Sequence, residues 1–61
     1  MDKKRIIILV DTGEEIKAVM DIDGRIWEFG STRHAKRTAA YLDITKSYPF
    51  ILLDFTGGIK A

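Results

Sequence analysis

The chain has 61 residues, with ten basic and nine acidic side chains, a net charge of +1 and no cysteine. That length is one small domain over 1–61, with flexible ends expected at 1–3 and 57–61, and a domain of this size buries only about 60% of the surface its unfolded chain exposes. The missing thiols exclude a disulfide framework and a thiolate metal site, the near-neutral charge argues against strong sequence-independent attraction to nucleic acid, and 46% hydrophobic against 31% charged residues argues against disorder.

Taken from its start, Met-Asp-Lys-Lys-Arg is basic like the opening of a signal peptide. Asp11 ends the apolar run that follows far short of an export segment or a membrane span, so a cytoplasmic protein is the expectation. Residues 4–10, Lys-Arg-Ile-Ile-Ile-Leu-Val, are β-branched and apolar on both alternating faces, which suits a central strand with Ile6, Ile8 and Val10 turned one way. Asp11-Thr12-Gly13-Glu14 is turn chemistry. A second strand follows in which Ile16, Ala18, Met20 and Ile22 alternate with Lys17, Val19 and Asp21. Asp23-Gly24 signals a type I′ hairpin, because both residues tolerate positive φ, and residues 25–29 read as the returning third strand.

Gly30 frees the chain to turn, and Ser31 or Thr32 caps a helix expected over about 32–44. Ala35, Thr38, Ala39 and Leu42 share one side at 3.6-residue spacing, small enough for the helix to lie close on a sheet. Pro49 stops the helix, because the residue before a proline leaves the α region. Residues 50–55 form the last strand, and Thr56-Gly57-Gly58 loosens the tail.

The order predicts an α+β fold: a β-β-β-α-β domain, a mostly antiparallel four-stranded sheet ordered 3-2-1-4, and one helix on one face. A right-handed crossover would bring the last strand parallel beside the first. The expected core is Ile6, Ile8, Val10, Met20, Ile22, Leu42, Leu52 and Phe55 or its alternate neighbours. One helix covers one face, which leaves Ile7, Leu9, Val19 and either Trp27 or Ile26 on an open side. The last strand, with Ile51 and Leu53 and only Asp54 as an internal charge, would lie at a sheet edge. These residues form the candidate partner or dimer surface, and a two-fold homodimer is expected. A sequence echo accompanies this pattern: residues 8–18 and 51–61 are identical at six of eleven positions without a gap. Convergent strand-turn chemistry accounts for it; a pseudo-symmetric reading would make Ile59-Lys60-Ala61 the start of a short fifth strand.

Several motifs touch on chemistry. Asp11-Thr12-Gly13 after Ile-Leu-Val looks like the catalytic triplet of aspartic proteases, but Glu14 and Glu15 stand where small or apolar residues belong in that family, and a turn accounts for the triplet. Asp21-Ile22-Asp23-Gly24 resembles the opening of an EF-hand loop, whose twelfth position needs a bidentate Glu where this chain has Thr32. His34 is the single histidine, with no second His or Cys to complete a metal site. Ser31 or Ser47 with His34 and an aspartate lacks a nucleophile elbow. The glycines match no phosphate or dinucleotide loop. No catalysis, cofactor or metal is therefore expected.

Arg33, His34, Lys36 and Arg37 crowd the expected first two helical turns, where the macrodipole is already positive. With the hydroxyls of Ser31 and Thr32, and with Tyr41 ending a His34-Arg37-Tyr41 stripe, they form a candidate site for an anion or an acidic partner. The run from Gly24 through Trp27, Phe29 and Ser31 into the alanine-rich stretch ending at Tyr41 and Leu42 faintly resembles the three-stranded-sheet-plus-helix DNA-binding domains of plant AP2 factors and phage-type integrases. That resemblance implies a DNA-binding alternative using Lys3, Lys4, Arg33, Lys36, Arg37 and Tyr41. It departs in the strands, which offer mainly Lys17, Arg25 and Trp27 where those domains carry many Arg and aromatic residues. The size and style also resemble small accessory proteins of bacteriophages and mobile elements. The expected function is a small non-catalytic binding module with a protein partner favoured and nucleic acid as the alternative.

Overall fold

The computed structural model describes residues 4–55, in which the chain forms three strands and two helices: β1 (Ile6–Asp11), β2 (Ile16–Ala18), α1 (Thr32–Ala39), α2 (Asp43–Ser47) and β3 (Phe50–Asp54). The strands make one antiparallel sheet in the order β2-β1-β3, so the most apolar strand is the central one. Ile6, Ile8 and Val10 turn toward the helices and are essentially fully buried. The α+β class stands, but the four-stranded sheet with one helix is replaced by this arrangement. The suggested fifth strand at Ile59-Lys60-Ala61 lies outside the described residues.

The expected third strand does not form as a ladder. Residues 25–29 make two isolated bridges, Met20 with Ile26 and Ile6 with Phe29. Val19 is the junction: its N–H donates to the Ile8 carbonyl at 2.9 Å, and its carbonyl accepts from Trp27 N–H at 2.9 Å. The chain then bends to the beginning of β1, where Phe29 and Ile6 exchange both backbone hydrogen bonds at 2.7 and 3.1 Å. This bend also reverses the last strand. A regular meander would have delivered the chain to the Asp11 end of β1; instead the helices start beside Ile6, cross the sheet, and return β3 antiparallel, with Phe50 opposite Val10 and Asp54 opposite Ile6.

The second hairpin differs from the expected type I′ turn, which needs two residues at positive φ. Only Gly24 has it, at +82°. The result is a three-residue loop, 22–24, closed by Gly24 N–H on the Asp21 carbonyl at 3.1 Å. The Asp21 carboxylate accepts from the N–H groups of Asp23 and Arg25 at 2.9 and 3.0 Å. Ile22 therefore sits exposed at a loop tip and not in the core.

The helix expected over 32–44 is two short helices. Tyr41 and Leu42 N–H groups both reach back to the Thr38 carbonyl, and Leu42 is extended at φ −79°, ψ 136°. The buried Thr45 hydroxyl makes the break tolerable by donating toward the carbonyl of Ala39 at the end of α1 and toward that of Leu42, which also accepts from Lys46 N–H at 3.2 Å. Leu42 thereby drops onto the core, and Asp43 opens α2 with a charge that suits its dipole.

The core consists of Ile6, Ile8, Val10, Val19 and Phe29 beneath Ala35 and Ala39, with Trp27, Leu42 and Leu52 packed at its margin. The rings of Trp27 and Phe29 stack at 5.0 Å, and His34 meets Phe29 edge-on at 5.2 Å. Met20, expected inside, is 55% exposed, while Val19, expected outside, is buried. Phe55 is half-buried outside the core cluster.

Candidate functional site

The side of the sheet opposite the helices follows from strand alternation and register. Ile7 pairs with Leu53, Leu9 pairs with Ile51 and Ala18, and Asp11 pairs with Ile16, so all of these side chains turn away from the core. Met20 follows Val19 onto this side, and its bridge partner Ile26 joins it. The Phe55 N–H donates to the Arg5 carbonyl at 2.9 Å and extends the pairing by one row. Along its centre the open face therefore reads Arg5, Ile7, Leu9, Asp11: a cation, two apolar residues and an anion.

Two shallow clefts lie at its ends. One, of about 250 Å³, is lined by Arg5, Ile7, Ile26, Glu28, Leu53 and Phe55. The other, of about 230 Å³, is lined by Leu9, Asp11, Ile16, Pro49, Phe50 and Ile51. At the first, Arg5 Nε donates to Glu28 Oε1 at 2.9 Å and the guanidinium lies 4.5 Å from the Phe55 ring centre. The hydrogen bond from Arg5, reinforced by its charge, holds the Glu28 carboxyl below its ordinary value; the same bond raises Arg5. At the second, Asp11 Oδ1 accepts from Gly13 N–H at 2.8 Å, and Gly13 takes φ +88°. The triplet Asp11-Thr12-Gly13 is thus the β1–β2 turn.

Of the residues expected on the open side, Ile7, Leu9, Ile51 and Leu53 are there together. Val19 and Trp27 are not: Val19 points into the core and Trp27 packs against it, and Ile26 occupies the open side. Ile16, Ala18 and Met20 belong to the face, Met20 against its expected place in the core. The signal that places them was the loop length. Four residues, 12–15, separate the paired Asp11 and Ile16, so odd-numbered residues of β1 share a face with even-numbered residues of β2.

The basic cluster is more dispersed than its spacing implied. Ser31 is the α1 N-cap, with its Oγ accepting from His34 N–H at 3.1 Å. Thr32, Arg33, His34, Lys36 and Arg37 are exposed on α1. Because α1 ends at Ala39, Lys36 and Arg37 lie in its last turn, where the dipole favours cations. The electrostatic oddity of the sequence therefore shrinks to Arg33 and His34, and the His34 ring rests on Phe29. Tyr41 is 75% exposed in the turn after α1, so the expected stripe is cut before its aromatic end. Lys4 is exposed, and Lys3 lies outside the described residues.

No helix among the described residues is long and apolar enough to cross a membrane. Compared with protein-family models, curated proteins and solved structures, the chain matches none.

Proposed function

We propose that the chain is a small binding module that engages another protein chain through the open face of its sheet, without catalytic chemistry of its own. One observation carries this reading: five large apolar side chains, Ile16, Met20, Ile26, Ile51 and Leu53, stay between 39% and 61% exposed on a single side. Patches of contiguous apolar surface on this scale mark interaction sites. Two charged ends and two clefts supply the orientation that a flat apolar patch lacks. The exposed helix cations stand on the opposite side of the sheet, so the two surfaces are separable by mutation.

The test uses the chain as bait in parallel with Leu53→Lys and Ile51→Lys on the face, and with Arg33→Glu and Lys36→Glu on α1. A protein partner should be retained by the helix variants and lost from the face variants. Loss from the helix variants alone, or tight DNA binding that collapses with added salt, would replace this reading with an electrostatic one.

A further inference from the structure

We propose that the occupant of the open face is a second copy of this chain, packed sheet on sheet about a two-fold axis with the helices outermost. The inference deepens the proposed function and rests on the open face being a binding surface. Two observations select a second copy.

The first is charge. Arg5 and Asp11 stand at opposite ends of the central row, with Ile7 and Leu9 between them. When two such rows cross antiparallel with the axis at the level of Ile8, Ile7 lies over Leu9 of the second copy, and Arg5 lies over Asp11 of the second copy. Both contacts occur twice. Parallel crossing would instead oppose arginine to arginine and aspartate to aspartate. Aligned sheets pack about 10 Å apart with strand directions within about 30° of each other, a separation that an extended arginine and an aspartate span together. In this crossing the Arg5–Glu28 rim faces the Asp11 end of the second copy, so Arg5 would lie between Glu28 of its own chain and Asp11 of the second copy.

The second is area. At these exposures, Ile16, Met20, Ile26, Ile51 and Leu53 offer on the order of 500 Å² per copy, or about 1,000 Å² for a symmetric pair, the size a biological interface should reach. Face-to-face packing covers this surface. Pairing through the β3 edge would leave the two open faces joined into an apolar patch twice as large.

Sedimentation equilibrium between 10 and 200 µM tests the arrangement, with far-UV circular dichroism as a check on folding. The wild-type chain should sediment at twice its 6.9 kDa. Arg5→Asp and Asp11→Arg, each alone, should weaken self-association at least about tenfold, within the range close charge pairs contribute across an interface. An equimolar mixture of the two should recover it, because in the mixed pair both contacts are attractive again. Leu53→Lys should sediment near 6.9 kDa with an unchanged fold. A wild-type monomer throughout the range overturns the proposal, and so does a dimer indifferent to Leu53→Lys and to both charge reversals. Neither result touches the bait experiment, in which a foreign partner lost from the face variants would still uphold the binding role of the face.

Discussion

The two faces of this sheet come from the same strands and have nearly the same hydrophobicity, yet they differ in every physical consequence. On one side Ile6, Ile8 and Val10 lie under two alanines that let α1 approach closely, and Phe29 is the largest side chain fully buried beside them. On the other, Ile7 and Leu9 have side chains of the same face around them and no helix above, while Ile16 and Ile51 project into solvent. The contrast teaches that an apolar residue in a small domain is not thereby a core residue. A strand apolar on both faces needs two coverings, and the described residues supply one.

The comparison breaks most visibly at paired isoleucines. Ile8→Ala, at a fully buried site, should cost about 2–5 kcal/mol through lost burial and the cavity left behind, a large part of what so small a domain possesses. Ile51→Ala, 61% exposed across the strand from Leu9, should cost under about 1 kcal/mol when unfolding is followed by denaturant at concentrations too low for association. Equal losses at the two sites would mean that the open face is dry in the isolated chain.

Half of this contrast could be read from the residues. The alternation of Ile6, Ile8 and Val10 and the two alanines of α1 follow from local periodicity, and the place of the last strand beside the first follows from the order of elements, although its direction does not. What escaped is what depends on register. Even-numbered residues of β2 were expected to face the even-numbered residues of β1, but the even loop length at 12–15 inverts that parity, exchanging Val19 for Met20. The path of residues 25–29 escaped for a related reason. Their hydrogen bonds to Val19 and Ile6 are tertiary, and nothing in an Arg-Ile-Trp-Glu-Phe run distinguishes a strand from a bend that touches two strands. The helix break likewise depends on Thr45, whose hydroxyl serves carbonyls of residues three and six positions earlier. The echo of 8–18 in 51–61 shows the same limit: its matched residues Ile8 and Ile51 face opposite sides of the sheet.

A smaller effect belongs to the covering layer itself. Ser31 caps α1 through its side chain, whereas Leu42 stands at the N-cap of α2 with no side-chain hydrogen bond. Ser31→Ala should therefore destabilise the domain by about 1 kcal/mol, within the range of about 0.5–2 seen for such caps. Hydrogen exchange sharpens the comparison, because the freed His34 N–H should lose protection while the N–H of Val10, hidden beneath the helices, follows only the global change. Protection lost evenly over both would show that α1 unfolds only with the whole domain.

The smallest effect should come from the rim of the open face, where Arg5 and Glu28 are each about half exposed and water screens their attraction. Its sign is nevertheless determined. The folded-state Glu28 carboxyl is held below its ordinary value of 4.5, so the native state favours the ionised form more than the unfolded chain does. The stabilisation it provides is present above that value and is lost as pH falls through the lower folded-state value. Glu28→Gln removes the charge at every pH, so its stability deficit relative to the parent should be visible near pH 7, shrink below pH 4.5 and vanish in stronger acid. Urea unfolding of both chains in a Leu53→Lys background isolates this term from any contribution of pairing between copies. Added salt should reduce the deficit near pH 7, because an ion pair this exposed is screened. A deficit that persists unchanged in acid would show that the Glu28 contribution does not come from its ionised pair with Arg5, and would make the rim as insensitive to solvent as the helix-covered side.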